Sequence, residues 1–219
     1  MRLPHVDEAE GHSFLTLGAS PVVLDLGCSR GRFSSHVATT YGARVVALEP
    51  DPRVEPEIHG GVELRRVALG DGKPQMLTGR PGSDATLVFG GEVIATVETV
   101  TLAALLEELG NVDLVKIDVE GAEIDALLET KPADLRRAGQ LAVEFHDFLD
   151  PASAPRVRAA RAHVREAGFA ELRFSGDASD VLFVNRERHQ ISRLQRAGLL
   201  LHRRYLPGAG RIVRRRLGR

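Results

Sequence analysis

The sequence predicts an α/β domain with a doubly wound, mainly parallel sheet of seven strands that ends in an antiparallel hairpin. Two observations predict it. Apolar, strand-like runs alternate with helix-like segments from Val22 to Gly168, which is typical of a parallel sheet with helices on both faces. The last two strand-like runs follow each other directly and are joined by Gly176-Asp177, a hairpin turn signal. One strand of the sheet is therefore expected to run antiparallel.

The predicted elements follow in order from the apolar runs and from the prolines and glycines between them. Strands are predicted at 22–26, 44–48, 62–69, 112–117, 140–145, 171–175 and 180–185, and helices at 34–41, 102–109, 122–129 and 154–167. The second strand must end before Pro50 and Pro52, because proline breaks strand pairing. Thr101 has the chemistry of an N-cap, and Gly110 that of a helix end.

Two segments do not follow the alternation of strand and helix. Residues 73–100 are rich in Gly, Thr and Val, and their alternating pattern indicates an inserted antiparallel hairpin. Residues 1–20 are weakly patterned and are expected to form a short helix or an arm. We therefore divide the chain into an arm (1–20), a domain (21–187) and a tail (188–219).

Composition limits the class of protein. The 219 residues suffice for one well-buried α/β domain. No apolar run approaches the roughly 20 residues that span a bilayer, and the first residues lack the regions of a secretory signal. Cys28 is the only cysteine, which excludes an intrachain disulfide. We therefore expect a cytoplasmic protein.

The turn after the first strand, from Asp25 to Gly31, indicates a cofactor site. Glycines let the backbone approach a ligand closely at the start of a helix, and Glu49 ends the next strand, where a carboxylate can hold a ribose. NAD and S-adenosylmethionine both contain a ribose. The spacing Gly27-x-x-x-Gly31 is not G-x-G-x-x-G, and Asp25 suits a cationic amino acid better than a diphosphate. A tight turn without a ligand is the structural alternative.

Five segments together resemble the FkbM family of S-adenosylmethionine-dependent methyltransferases. They are D-L-G-x-x-x-G-x-F-S at 25–34, A-L-E-P at 47–50, V-A-L-G-D at 67–71, V-D-L-V-K-I-D-V-E-G-A-E at 112–123 and V-E-F-H at 143–146. The resemblance covers about residues 20–186 and implies a Rossmann-like, class I methyltransferase sheet. It also implies S-adenosylmethionine as cofactor and O-methylation of a hydroxyl on a small metabolite, natural product, sugar or glycan.

The family's cofactor contacts carry over onto the matching positions. The residues that the resemblance places at the cofactor are Asp25, Gly27, Cys28, Ser29, Gly31, Glu49, Ala68, Leu69, Asp71 and Asp118. The turn would hold the methionine part, and Glu49 the ribose. The pair at 68–69 would flank the adenine, and Asp71 would accept a hydrogen bond from its amino group, although a turn-forming Asp is an equal alternative. Family members typically carry Asn where this chain has Cys28 or Ser29.

The ends of the fourth and fifth strands carry the predicted catalytic residues. Asp118 follows one strand, and Glu144 and His146 end the next. Because neighbouring parallel strands end at one edge, we expect these side chains to converge and one of them to take the proton of the acceptor hydroxyl. Alternatively, Asp118 and Glu144 could hold Mg²⁺, which lowers the pKa of a hydroxyl. A polar edge histidine without a catalytic role is the alternative for His146.

The tail is strongly basic, with ten Arg and no acidic residue between 188 and 219. Ile191, Leu194, Leu201 and Tyr205 follow near-helical spacing, which predicts an amphipathic helix. Packing on its own domain or in a homo-oligomer is the first interpretation. Peripheral contact with a membrane surface is the second, and binding of nucleic acid ranks last.

Two further functions remain open from the sequence. A nucleotide-cofactor oxidoreductase of the NAD type has the same fold class, although G-x-G-x-x-G is missing. A non-catalytic protein could also keep the cofactor fold, against which the intact set of Asp118, Glu144 and His146 argues.

Overall fold

The computed structural model describes residues 5–79, 85–147, 150–174 and 180–189. The strands are β1 (Val6–Ala9), β2 (His12–Leu15), β3 (Val22–Leu26), β4 (Arg44–Leu48), β5 (Val62–Arg65), β6 (Ala68–Leu69), β7 (Gln75–Gly79), β8 (Glu92–Val97), β9 (Thr99–Val100), β10 (Val112–Ile117), β11 (Ala138–Glu144), β12 (Phe169–Arg173) and β13 (Asp180–Asn185). The helices are α1 (Arg32–Tyr41), α2 (Leu102–Leu109), α3 (Glu123–Glu129), α4 (Pro132–Leu135) and α5 (Ala154–Glu166), and a 3₁₀ turn covers Pro151–Ser153.

The central sheet has seven strands in the order β12-β13-β11-β10-β3-β4-β5. Counted along the chain from the β5 edge this is 3-2-1-4-5-7-6, and β13 runs opposite to the other six strands of this sheet. The predicted doubly wound, mainly parallel sheet with a terminal antiparallel pair is confirmed. The strand order reverses between β3 and β10, and ligands bind at such a switch point, beyond the carboxyl ends of the strands.

Apolar side chains fill both faces of the sheet. One buried cluster joins β3, β10 and β11 to α2, α3 and α5 on one face. A second cluster packs α1 and the β1–β2 pair against the other face. Thr101 caps α2 as predicted, since its Oγ1 accepts a hydrogen bond from Ala104 N at 3.1 Å. The two-sided burial explains why the strands read as nearly continuous apolar runs.

The amino-terminal segment differs from the prediction of a helix or arm. Strands β1 and β2 form an antiparallel hairpin, with Glu10 and Gly11 at positive φ in the turn. The hairpin docks on the sheet through Gln140 of β11. The Gln140 side chain accepts from Leu15 N at 2.7 Å and donates to Leu15 O at 3.1 Å, as a neighbouring strand backbone would.

The region between β5 and α2 also departs from the predicted bounds. The predicted strand at 62–69 is two strands, because β5 pairs with β4 whereas β6 leaves the sheet and pairs with β9. The inserted hairpin is present as β7 and β8. Of the segment at 85–89 only Thr86 pairs, through a single bridge to Thr78.

The described residues contain no helix of the length and apolarity needed to cross a membrane. The predicted amphipathic helix at 191–205 and the predicted turn at Gly176-Asp177 lie outside the described residues. The division into arm, domain and tail remains a prediction.

Candidate functional site

A cavity of about 470 Å³ opens at the carboxyl ends of β3, β4 and β10. Its walls combine a polar end with an apolar end. The lining residues that carry the argument are Gly27, Ser29, Glu49, Leu69, Asp118 and Glu120. The predicted adenine neighbours Ala68 and Leu69 both line it. The volume lies in the range of small-molecule sites.

The glycine turn is shaped by close contact with the neighbouring strand. Gly27 has φ +80°, and a Cβ there would lie 1.9 Å from the carbonyl oxygen of Asp118. The N–H groups of Gly27 and Cys28 both donate to Leu48 O. Any side chain at position 27 would therefore push apart the ends of β3 and β10. Gly31 lies outside the lining of this cavity; it caps the start of α1, and a Cβ there would lie 2.6 Å from Cγ2 of Ile58.

Glu49 lies where a ribose contact was predicted. It is buried, and its two carboxylate oxygens accept from Ser29 N at 2.8 Å and Asp51 N at 2.9 Å. Burial raises the pKa of Glu49, although the hydrogen bonds from Asp51 and Ser29 oppose the increase. Each oxygen keeps a further lone pair toward the cavity. The two backbone hydrogen bonds thus hold the Glu49 carboxylate in place to accept a hydrogen bond from a hydroxyl group.

Asp25 does not lie where the prediction placed it. Its side chain is fully buried beneath the turn, where it accepts from Ser34 Oγ at 2.6 Å and pairs with Lys116 Nζ at 3.2 Å. Lys116 also donates to Gly27 O at 2.5 Å. Burial lowers the pKa of Lys116, but the charges of Asp25 and Asp118 outweigh it and raise the pKa. Asp25 therefore supports the turn from below rather than contacting a ligand.

Two other predicted cofactor residues occupy distinct positions. Asp71 is exposed and outside the cavity lining, where its carboxylate accepts from Lys73 N and Gln75 Nε2. The structure thus favours the turn-forming alternative for Asp71. Cys28 is buried, and burial followed by the charge of Asp25 raises the pKa of its thiol to about 12. The thiol therefore stays protonated at neutral pH.

Asp118 is the centre of a cluster of acidic residues and histidines. Its Oδ2 lies 3.3 Å from His12 Nε2 and 3.4 Å from Lys116 Nζ, and its Oδ1 lies 3.5 Å from His146 Nε2. Burial raises the pKa of Asp118, but the hydrogen bond with His12 and the charge of Lys116 outweigh it and hold the pKa well below its usual range. Asp118 is therefore a carboxylate at all physiological pH values.

His146 lies among carboxylates. Its Nε2 is 3.5 Å from Glu120 Oε1, and its Nδ1 is 3.4 Å from the fully buried Glu123. Burial lowers the pKa of His146, but its hydrogen bonds with Glu120 and Glu123 outweigh it and raise the pKa to about 10. Burial and the charge of Asp118 raise the pKa of Glu144. The structure brings Asp118, Glu144 and His146 together, and which of them acts remains a prediction.

The Mg²⁺ at Asp118 and Glu144 stays a prediction. Two groups have ligand atoms within 4.8 Å of one another: His12 with Asp118 and Glu144, and Asp118 with Glu120 and His146. Each group includes a histidine, whereas Mg²⁺ prefers oxygen ligands. The two complete groups therefore suit a transition-metal ion better than Mg²⁺.

A second cavity, of about 340 Å³, lies between the hairpin turn and the glycine turn. It shares Gly27, Ser29 and Asp118 with the first cavity. His12 lines it from the hairpin, and Arg30 and Arg32 line it from the start of α1. The two cavities therefore meet beside Asp118.

Sequence reasoning missed His12 and Lys116. His12 is 2% exposed, and its Nδ1 has no hydrogen-bond partner among the described residues. A signal for the hairpin was the Gly11 between two four-residue segments, but Glu-Gly is not among the dipeptides that mark such turns. A signal for Lys116 was a cation inside a buried apolar strand, which requires a buried partner.

The strand order of the sheet is that of a class I, Rossmann-like methyltransferase fold. A glycine turn follows the first strand of this sheet, and an acidic residue follows the second. Residues 25–170 match the model of the Methyltransferase FkbM domain. The protein belongs to this FkbM methyltransferase family, and the oxidoreductase alternative is not favoured.

Individual relatives are distant. The AMB antimetabolite synthetase AmbE of Pseudomonas aeruginosa is 28% identical over an alignment of 215 residues. The match covers 75% of this chain but only 10% of that protein. The methyltransferase FkbM of Methylobacillus flagellatus KT is 12% identical with a TM-score of 0.47, covering 78% of this chain and 44% of that one. The fibrillarin pre-rRNA processing protein of Methanococcus jannaschii is 15% identical, with a TM-score of 0.43. The match covers 83% of this chain and 81% of that one.

Proposed function

We propose that this protein is an S-adenosylmethionine-dependent O-methyltransferase that acts on a hydroxyl of a small metabolite, natural product, sugar or glycan. The observation that carries the proposal is the junction of the two cavities at Gly27, Ser29 and Asp118. The first cavity suits the cofactor, and the second offers a separate path for an acceptor. Both would then reach the same point beside Asp118.

The residues of the first cavity fit this cofactor. Glu49 offers a buried carboxylate to the ribose hydroxyls, and apolar side chains such as Val67, Leu69 and Leu77 offer a surface for a base. When bound, S-adenosylmethionine supplies an electrophilic methyl group. Asp118 and Glu120 line the same cavity and suit a cationic amino group.

The arrangement around Asp118 supports transfer to a hydroxyl. Methyl transfer is an in-line displacement, so that the two reactants must approach from opposite sides. Asp118 borders both cavities, and Glu144 and His146 lie beside it. A carboxylate within hydrogen-bond reach of the acceptor can take its proton, whereas His146, with its pKa raised to about 10, is protonated near neutral pH and would first act as a hydrogen-bond donor. We therefore retain Asp118, Glu144 and His146 as the predicted catalytic residues.

The natural product class of acceptor has independent support. The Pseudomonas relative is named an antimetabolite synthetase, and an antimetabolite is a small bioactive product. This chain spans only 10% of that protein, so the likeness concerns one part of it. A natural product hydroxyl is accordingly the first acceptor class to screen.

Calorimetric titration with S-adenosylhomocysteine, and with NAD as the control ligand, tests the cofactor class. We expect micromolar binding of S-adenosylhomocysteine and no binding of NAD. Binding of NAD alone would overturn the proposal, and binding of neither would favour a degenerate fold or a cofactor site that is completed only by the acceptor or a partner.

A matched pair of glycine variants tests the location of the cofactor. Gly27→Ala places a methyl group 1.9 Å from the Asp118 carbonyl, and we expect it to weaken S-adenosylhomocysteine binding by about 100-fold or more. Gly42→Ala also strains a left-handed position, at φ +63°, but meets no atom within 4 Å. Equal binding by the two variants would place the cofactor elsewhere.

A further inference from the structure

We propose that His146, Asp118 and Glu120 form a binding site for one divalent transition-metal ion at the junction of the two cavities. Its part in the reaction rests on the proposed function, whereas binding of the ion does not. The three side chains come from the turn after β10 and from the end of β11, and their ligand atoms lie within 4.8 Å of one another.

The distances within the group suit ligands that share an ion. His146 Nε2 lies 3.5 Å from Asp118 Oδ1 and 3.5 Å from Glu120 Oε1. Ligand atoms at about 2.1 Å from a tetrahedral ion lie roughly 3.4 Å from each other. The present separations would therefore need little change for the three side chains to share one ion.

The ring of His146 is held in the orientation that a ligand needs. Glu123 is fully buried, and its Oε1 lies 3.4 Å from Nδ1 while also accepting the backbone N–H of His146 at 2.8 Å. The other oxygen of Glu123 accepts from Gly121 N at 2.8 Å. A carboxylate on one ring nitrogen directs the other toward a metal, an arrangement common to metal-binding histidines.

The charge of the cluster also favours a cation. It contains five carboxylates, namely those of Asp25, Asp118, Glu120, Glu123 and Glu144, against Lys116 and the imidazolium of His146. Lys116 lies beside Oδ2 of Asp118, and His146 lies beside Oδ1. A divalent ion that replaces the proton on Nε2 of His146 would add one positive charge to a cluster in which carboxylates outnumber cations.

The mixed donor set selects the class of metal. One imidazole with two carboxylates suits Mn²⁺, Fe²⁺, Co²⁺ or Zn²⁺, whereas Mg²⁺ prefers oxygen ligands. Asp118 and Glu120 border the first cavity, so an ion between them would have a coordination position open to it. An acceptor that reaches Asp118 from the second cavity would lie beside this ion.

Calorimetric titrations of the chelator-treated full chain with Co²⁺ and with Mg²⁺ test the site. We expect Co²⁺ to bind with one-to-one stoichiometry, at least about 100-fold more tightly than Mg²⁺, because of the nitrogen ligand. The visible absorption of bound Co²⁺ should report its coordination. Absence of Co²⁺ binding, or equal affinities for the two ions, would overturn the proposal.

Variants then assign the ligands. His146→Gln and Glu120→Gln should each weaken Co²⁺ binding by about 10-fold or more. His59→Gln, in an exposed loop, is the matched histidine control and should leave the affinity unchanged. If His146→Gln does not fold, Glu120→Gln decides alone, because Glu120 lies in a partly exposed turn. Binding that is insensitive to these substitutions would overturn the site.

Titration of the metal-free chain with S-adenosylhomocysteine separates this proposal from the proposed function. Binding of S-adenosylhomocysteine without binding of Co²⁺ would refute the metal site and leave the function standing. Binding of Co²⁺ alone would support the metal site and count against the function.

Discussion

Glu171 is buried and Asp118 is partly buried, and the two carboxylates lie in charge clusters of opposite balance. Glu171 on β12 is surrounded by Arg161, Arg165 and Arg173, all within ion-pair distance. Burial raises the pKa of Glu171, but these arginines outweigh it and lower the pKa to about 2. The Asp118 cluster instead holds more carboxylates than cations and borders two cavities. A surplus of arginines around one carboxylate stabilises its ionised form and ties the fold together, whereas a surplus of carboxylates beside a cavity marks a candidate binding site.

The largest effect should come from breaking the ion pair between Lys116 and the fully buried Asp25. Lys116→Met leaves Asp25 buried without its cation, and we expect the free energy of unfolding to fall by about 3–5 kcal/mol. Urea denaturation measures this loss. The double variant Asp25→Asn with Lys116→Met should recover part of it, because no buried charge is then left unpaired. A loss below about 1 kcal/mol would show that the pair behaves as a surface salt bridge.

A paired substitution should separate stability from function. Glu171→Gln should lower the free energy of unfolding by about 1–3 kcal/mol, with two half-exposed arginines limiting the loss, and leave S-adenosylhomocysteine binding unchanged. Because its surroundings hold the pKa of Asp118 well below the usual range, the ionised carboxylate stabilises the fold, and Asp118→Asn should also lower the free energy of unfolding, by about 1–3 kcal/mol. With an acceptor that the wild-type protein methylates, Asp118→Asn should lower turnover by about 100-fold or more. If Glu171→Gln lost turnover and Asp118→Asn kept it, Glu171 rather than Asp118 would be the carboxylate that serves function.

The smallest effect should appear in the pH dependence of stability. Because the pKa of Glu171 is lowered to about 2 in the folded chain from 4.5, its contribution is complete above pH 4.5 and is lost as the pH falls toward 2. The difference in unfolding free energy between the wild-type protein and Glu171→Gln should therefore shrink over that range. A difference independent of pH, measured by urea denaturation at several pH values, would contradict the ion-pair explanation.

Much of the fold was predictable, because two-sided burial gives the central strands unbroken apolar runs. β3, β4, β10 and β13 have the predicted bounds. The predicted strand at 62–69 was divided in the structure, since nothing in the residues signals that β6 leaves the sheet for β9. The hairpin at 6–15 was missed, because its docking depends on a contact with Gln140 far along the chain.

The candidate site was predictable where it lies at strand ends and unpredictable where it depends on side-chain direction. The strand-end rule located Glu49, Asp118 and His146. It could not show that Asp25 points beneath the turn toward Lys116. The contact between His12 and Asp118 could not be predicted for another reason, because the two residues are 106 positions apart in the chain.

The attachment of the hairpin through Gln140 has a consequence for the order of folding. The hairpin itself needs only local contacts, but its two hydrogen bonds to Gln140 join positions 125 apart in the chain. Contacts of such long range form only after the intervening chain has been ordered, because loop closure costs entropy first. β11 must therefore be in place before the hairpin can dock and bring His12 to Asp118. The candidate site should be among the last parts of the molecule to assemble.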